Sequence, residues 1–245
     1  MLTTTTTKKA ALKFVILIGF VSLFADMTYE GARSINGQYL AILGANALTV
    51  GFVSGFGELI GYSLRFLSGY LADRTRKYWL ITIIGYVCNL LAVPLLALAG
   101  HWLIAAALMI LERFGKAIRV PTRDAMLSHA GQQTGMGWGF GLHEALDQAG
   151  AMIGPLVIAL ILLLNGNYRE SFAVLLIPAI ISLALLFYAR HLFPHPQSLE
   201  IKKDNLEVTQ IQNKTFWLYL FGASLIAAGV TSNASLKTSG RSVKN

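Results

Sequence analysis

Apolar residues in this chain gather in runs close to the twenty or so residues that a helix needs to cross a bilayer. The runs occupy residues 14–43, 50–72, 78–100, 102–120, 137–164, 171–190 and 215–229, with short polar or glycine-containing segments between them. The pattern predicts an all-α membrane protein. Six helices fall within 14–190, and a seventh run of about 15 residues is marginal for spanning. Gly44-Ala45-Asn46, Gly100-His101 and Asn165-Gly166-Asn167-Tyr168 form the turns on one side. The N-terminal tail (1–13), the Arg74–Lys77 turn, a loop over 122–135 and the stretch after residue 191 lie on the other.

Lysine and arginine sort between these sides. Arg169 alone lies near the first set of turns, whereas Lys8, Lys9, Lys13, Arg74, Arg76, Lys77, Arg119, Arg123, Arg190, Lys202, Lys203 and Lys214 accompany the second. Basic loops stay in the cytoplasm, so the N-terminus is expected there and the protein in the cytoplasmic (inner) membrane. Residues 191–214 are polar, charged and hold Pro194 and Pro196, which predicts a linker between two membrane domains. The second domain is expected to begin at 215 and to be cut short within 215–245, where the sequence turns polar from Thr231 onward.

Composition agrees with a membrane protein. The 245 residues are 55% hydrophobic and 13% charged, against about 25% charged in a globular domain. Mean hydropathy is +0.58. The net charge of +8 sits in clusters between apolar runs, as membrane anchors do, so nucleic acid is not an expected partner and the lipid bilayer is. The single Cys88 allows no internal disulfide, and no Cys/His spacing suggests structural zinc.

Ionisable residues at membrane depth are costly and mark a functional path by default. Asp26, Glu30 and Arg33 share one face of the first helix, and Glu58 and Arg65 share a face of the second. Glu112, Arg113 and Lys116 lie on the fourth helix, and His143, Glu144 and Asp147 on the fifth. At about 1.5 Å per residue, Asp26 falls roughly 18 Å from residue 14 and Asp147 roughly 15 Å from residue 137, near the middle of a 30 Å core. Structural ion pairs are expected first for Glu30 with Arg33 and for Glu58 with Arg65. A surplus carboxylate, for which Asp26 and Asp147 are the candidates, would carry a coupling proton.

Two stretches carry a family resemblance. Gly69-Tyr70-Leu71-Ala72-Asp73-Arg74-Thr75-Arg76-Lys77 resembles the signature loop between helices 2 and 3 of major facilitator superfamily (MFS) transporters, although the usual glycine after Thr75 is missing and Arg76-Lys77 follow directly. The stretch from Glu112 to Asp124, followed by Gly139–Asp147 and Gly150-Ala151-Met152-Ile153-Gly154-Pro155, is similar to helices 4 and 5 of a bacterial drug/proton-antiporter-like branch. The resemblance implies a six-helix bundle of 3+3 inverted repeats, the N-terminal half of a secondary transporter driven by a proton gradient without a cofactor. It also implies that Arg113 serves proton coupling, and that Gly69, Asp73, Arg74, Arg76 and Lys77 gate the transition between states, with a base such as Arg123 as partner of Asp73. Gly150 and Gly154, one turn apart, permit close helix contact, and Pro155 would kink the helix.

The expected activity is proton-coupled efflux of a small molecule or ion, and no enzymatic activity is expected. A chain limited to one half lacks the facing bundle, so a non-transporting subunit that needs a second half or self-association is the alternative. His143-Glu144-Ala145-Leu146-Asp147 approaches the His-Glu-x-x-His spacing of metalloproteases, a remote third reading. The second histidine is absent, and no metal site is expected.

Overall fold

The computed structural model describes residues 2–199 together with 217, 218, 221 and 222. Two units divide the chain, Met1–Ile201 and Lys202–Asn245, and the helical bundle is the first. Most of the expected linker and most of the expected second domain lie outside the described residues.

Among the described residues eight α-helices follow one another within the bundle: α1 (Leu2–Arg33), α2 (Asn36–Ile42), α3 (Ala47–Thr75), α4 (Tyr78–Leu95), α5 (Trp102–Thr134), α6 (Met136–Leu163), α7 (Tyr168–Val174) and α8 (Leu176–Leu192). Short 3-10 turns follow α4 and α8. Among the described residues five segments are long and apolar enough to cross a bilayer: Lys8–Arg33, Ala47–Thr75, Tyr78–Leu98, Met136–Leu163 and Tyr168–Leu192. α5 is also long enough, at 33 residues or about 50 Å, but its charges set it apart.

Three boundaries depart from the hydropathy reading, each for a local reason. α1 starts at Leu2, so the expected tail is largely helical, and the run 14–43 breaks after Arg33. There Ile35 N–H turns back to Ala32 O at 3.1 Å and Ser34 Oγ donates to Gly31 O at 2.7 Å. The loop expected over 122–135 is instead the second half of α5. Met126, Leu127 and Ala130 are buried there in the apolar core, and the helix stops only at Gly135, whose φ of +95° suits a residue without a Cβ. The sixth span starts early, at an Asn167–Glu170 capping box. It divides at Leu175 because Pro178 has no N–H to offer the Val174 carbonyl.

Glycines set the two closest helix crossings. A Cβ on Gly150 would strike Leu23 O of α1, and one on Gly154 would strike Met27 O. On the other side of the bundle, a Cβ on Gly85 would come within 2.8 Å of Arg119 N, and one on Gly115 would meet the α4 backbone at Asn89. Close backbone approach of this kind is how membrane helices maximise dispersion contact without a hydrophobic driving force. α1 packs along α6 and α8, while α5 packs along α3 and α4, the parallel arrangement expected of two three-helix repeats.

Apolar side chains form two clusters with polar residues between them. One gathers Phe14, Ile18, Val21, Tyr86, Leu90 and Met126. The other gathers Tyr39, Leu40, Val93, Leu96, Met109 and Phe172. Along α1 the first cluster ends at Ala25 and the second begins at Ala32, and the charges of Asp26 and Glu30 lie in that interval. α3 and α6 bury few side chains, and their residues Phe52, Phe66, Leu156 and Leu160 are exposed.

Candidate functional site

The charged layer is built on α5. Glu112, Lys116, Arg119 and Arg123 recur at intervals of four, three and four, which places them on one helical stripe. Three of them, Glu112, Arg119 and Arg123, are buried. The stripe faces α1, where Ser22, Asp26 and Glu30 recur every four residues with Tyr29 beside them.

Arg119, fully buried, donates to Asp26 Oδ1 at 2.8 Å, and its guanidinium lies 4.5 Å from the centre of the Tyr86 ring. Lys116 Nζ lies 3.8 Å from Asp26 Oδ2 and 3.5 Å from Glu30 Oε1, above the Tyr29 ring at 3.5 Å. Arg123 donates to Ser22 Oγ at 3.1 Å and lies 3.6 Å from Asp147 of α6 and 3.0 Å from Asp124. Ser22 Oγ and His143 Nε2 stand 2.8 Å apart, so His143 is tied to α1 and buried. At the far end, Glu58 of α3 receives both Arg113 and Arg33, the latter at 3.3 Å, and Arg33 also meets Glu30 at 3.5 Å. The layer thus joins α1, α3, α5 and α6.

Of the expected site residues, Asp26, Glu30, Arg33, Glu58, Arg113, His143 and Asp147 enter this layer. Two others stand apart. Glu144 is exposed and accepts from Gln148 at 2.7 Å. Arg65 does not pair with Glu58, which is engaged by Arg33 and Arg113; it stands 5.3 Å from the Tyr62 ring. Glu112 is buried on the same stripe, but no cation lies within ion-pair distance of it among the described residues. A recess between α1, α3 and α5 is lined by Tyr29, Glu58, Arg65, Arg113 and Lys116. Among the described residues no group of three or more His, Cys, Asp or Glu side chains gathers as a metal-ion site, so His143 and Asp147 have no third ligand.

Arg119 was missed in the sequence as a site residue, and Arg123 was assigned to a loop. Their position next to the expected end of a span made them look like cytoplasmic anchors, yet both are buried. The periodicity running on from Glu112 is the signal that marks them.

The Gly69–Lys77 turn is arranged by short-range contacts. Tyr78 Oη donates to Asp73 Oδ1 at 3.3 Å, and Arg74 donates to Tyr70 Oη at 3.2 Å. The expected pairing of Asp73 with Arg123 does not form, since Arg123 is drawn into the bundle by Ser22, Asp124 and Asp147. Arg76 caps α3 in the left-handed conformation (φ 55°), its N–H bonded to Ala72 O, and Lys77 N–H reaches Thr75 Oγ1 at 3.5 Å. Gly69 faces Pro121 of α5, where a Cβ would fit at 3.6 Å. Pro155 lies inside α6, which continues through it.

Comparison with known proteins agrees with this architecture. A family model described as Major Facilitator Superfamily matches residues 15–239. The chain is similar to an uncharacterized protein of Mycobacterium tuberculosis, 51% identical over 192 residues, which are 78% of this chain and 47% of the relative. A Mycobacterium bovis protein shows the same identity over the same shares. An uncharacterized MFS-type transporter of Methanocaldococcus jannaschii is 33% identical over 190 residues, 77% of this chain and 47% of that one. The chain spans about half the length of the curated relatives it matches. With spans that cross the bilayer several times and a family match over nearly its whole length, the chain belongs to the Major Facilitator Superfamily of membrane transporters.

Proposed function

We propose that this chain forms one six-helix half of a proton-coupled secondary transporter that exports a small solute across the cytoplasmic membrane, with its N-terminus inside the cell. The observation that carries the reading is the buried charge layer. Each ionised group at a helix centre costs roughly 2.5–3.5 kcal/mol even on the mild insertion scale, so an inert scaffold would not keep Asp26, Arg113, Lys116, Arg119, Arg123 and Asp147 there together. Two apolar clusters seal this layer above and below, while Tyr29, Glu58, Arg113 and Lys116 open onto the recess. A solute held at the mouth of this recess would touch the groups that hold α1, α3 and α5 together, so that binding and ion-pair exchange would be coupled.

In this reading the Gly69–Lys77 turn gates the cytoplasmic end, and Gly150, Gly154 and Pro155 set how α6 slides on α1. The outward direction rests on the resemblance to drug/proton antiporters. A facing six-helix bundle, supplied by a second half or a second copy, completes the cavity, consistent with the exposed apolar side chains of α3 and α6.

Transport in vesicles containing this chain tests the proposal, with a pH-sensitive dye and a panel of cations and drugs. Substrate-dependent proton movement that disappears in the Asp26→Asn, Asp147→Asn double variant supports it. Movement restored only by adding a second half supports the partner-dependent form. Absence of movement in both cases refutes it.

A further inference from the structure

Among the described residues every carboxylate of the buried layer has a cationic partner except Glu112. Its side chain is 1% exposed, Oε1 has no hydrogen-bond donor, and no Lys or Arg nitrogen lies within 4.0 Å among the described residues. Asn89 of α4 donates its Nδ2 to the Glu112 backbone carbonyl at 3.0 Å, while its own Oδ1 also lacks a donor. The α4–α5 contact therefore holds two acceptors with nothing to satisfy them. A bare carboxylate in such a place would be a buried, unpaired ion, and such a group neutralises instead.

The charged and titratable groups that face Glu112 are already committed. On its own helix, Arg113 is held by Glu58 of α3, and Lys116, one turn away, is held by Asp26 and Glu30 of α1. On α1, Arg33 spans Glu30 and Glu58, and Tyr29 lies beneath Lys116. A Glu and a Lys four residues apart on a helix pair readily. Here that local pair is absent, and the lysine reaches across to another helix.

From this geometry we infer that Glu112 is the proton-carrying group of the bundle and that Lys116 is the cation its proton displaces. With the proton on Glu112, Lys116 bridges α5 to α1. When the carboxyl gives up its proton to water, Glu112 becomes a carboxylate. Lys116, which lines the recess, then turns back to it and releases Asp26 and Glu30. One proton lost is one negative charge gained on α5, matched by the returning ammonium. The α1–α5 contact loosens in the same step. This assignment rests on the proton-coupled reading above but moves the proton from Asp26 or Asp147 to a residue fully enclosed by this half.

Infrared spectroscopy of the whole chain in lipid vesicles tests it without needing transport. At neutral pH a protonated-carboxyl C=O stretch is expected. It should disappear in Glu112→Gln, persist in Asp26→Asn and Asp147→Asn, and bleach as pH rises. Lys116→Met should keep the band to higher pH, because the ion that stabilises the carboxylate is gone. A band that survives in Glu112→Gln, or is absent from the wild type at neutral pH, overturns the assignment. So does bleaching by sodium at constant pH, which would make the site one for a metal ion. Circular dichroism confirms that each variant is folded. The outcome is independent of whether the vesicles transport anything. Where they do, full substrate-dependent proton movement in Glu112→Gln overturns the carrier role.

Discussion

Arg119 and Asp26 meet at 2.8 Å, ninety-three positions apart in the chain, and the arginine is fully buried. They fasten the first helix of one three-helix repeat to the first helix of the other. Tyr86 stacks on the guanidinium, and Lys116 lies 3.8 Å from the same carboxylate on its other side.

Removing the arginine leaves Asp26 with Lys116 alone. Arg119→Met is expected to destabilise the bundle by about 1.5–3 kcal/mol, since the buried carboxylate loses its charge-assisted hydrogen bond and keeps only the more distant ammonium at 3.8 Å. The double variant Arg119→Met, Asp26→Asn should recover part of the loss. Thermal unfolding in detergent, followed by thiol-dye labelling of the single Cys88, measures both.

The helix crossing at α1 and α6 should tolerate nothing larger than glycine. Gly150→Leu and Gly154→Leu force a side chain into the α1 backbone at Leu23 and Met27, and overpacking of this kind costs about 1–3 kcal/mol or more. Gly55→Ala and Gly61→Ala, where a Cβ meets nothing within 4 Å, serve as controls and should melt like the parent.

Arg76 occupies the left-handed cap of α3. The left-handed conformation costs a residue with a Cβ roughly 1–2 kcal/mol. Arg76→Gly should therefore stabilise the α3–α4 turn, by less than that amount because glycine is also freer in the unfolded chain. A small rise in melting temperature, at unchanged helicity, is the expected result.

Trp79 Nε1–H donates to Phe193 O at 2.9 Å, and Phe193 packs edge-on against Phe14 at 5.3 Å. These contacts pin the segment after α8 to the start of α4. Trp79→Phe keeps the ring and loses the hydrogen bond, worth about 1 kcal/mol. Faster proteolytic cleavage near residues 193–196, with global melting nearly unchanged, is the expected outcome.

Much of the fold was legible from hydropathy, because spanning helices must satisfy their backbone internally and so declare themselves as long apolar runs. The glycine pair at 150 and 154 was legible as a close contact for a related reason: only small residues allow backbones to touch. The charge partners were not. Glu58 and Arg65 share a helix face, yet Glu58 turns to Arg33 and Arg113, because those two side chains enter from α1 and α5 at the right height. Arg119 and Arg123 were hidden by the assumption that a helix ends where its hydropathy falls. α5 runs on to Thr134 because its buried face, from Met126 to Ala130, continues past the charges.

The sequence by itself determined where five long apolar spans run, the family and the presence of many ions at span depth. These are properties of single helices against a bilayer, where transfer energy is additive along the chain. Tertiary structure alone decided which ions neutralise each other, and that Glu112 has no counter-charge among the described residues. Pairing depends on distances between helices far apart in the chain, set by the glycine contacts that fix how closely α1 meets α6 and α4 meets α5.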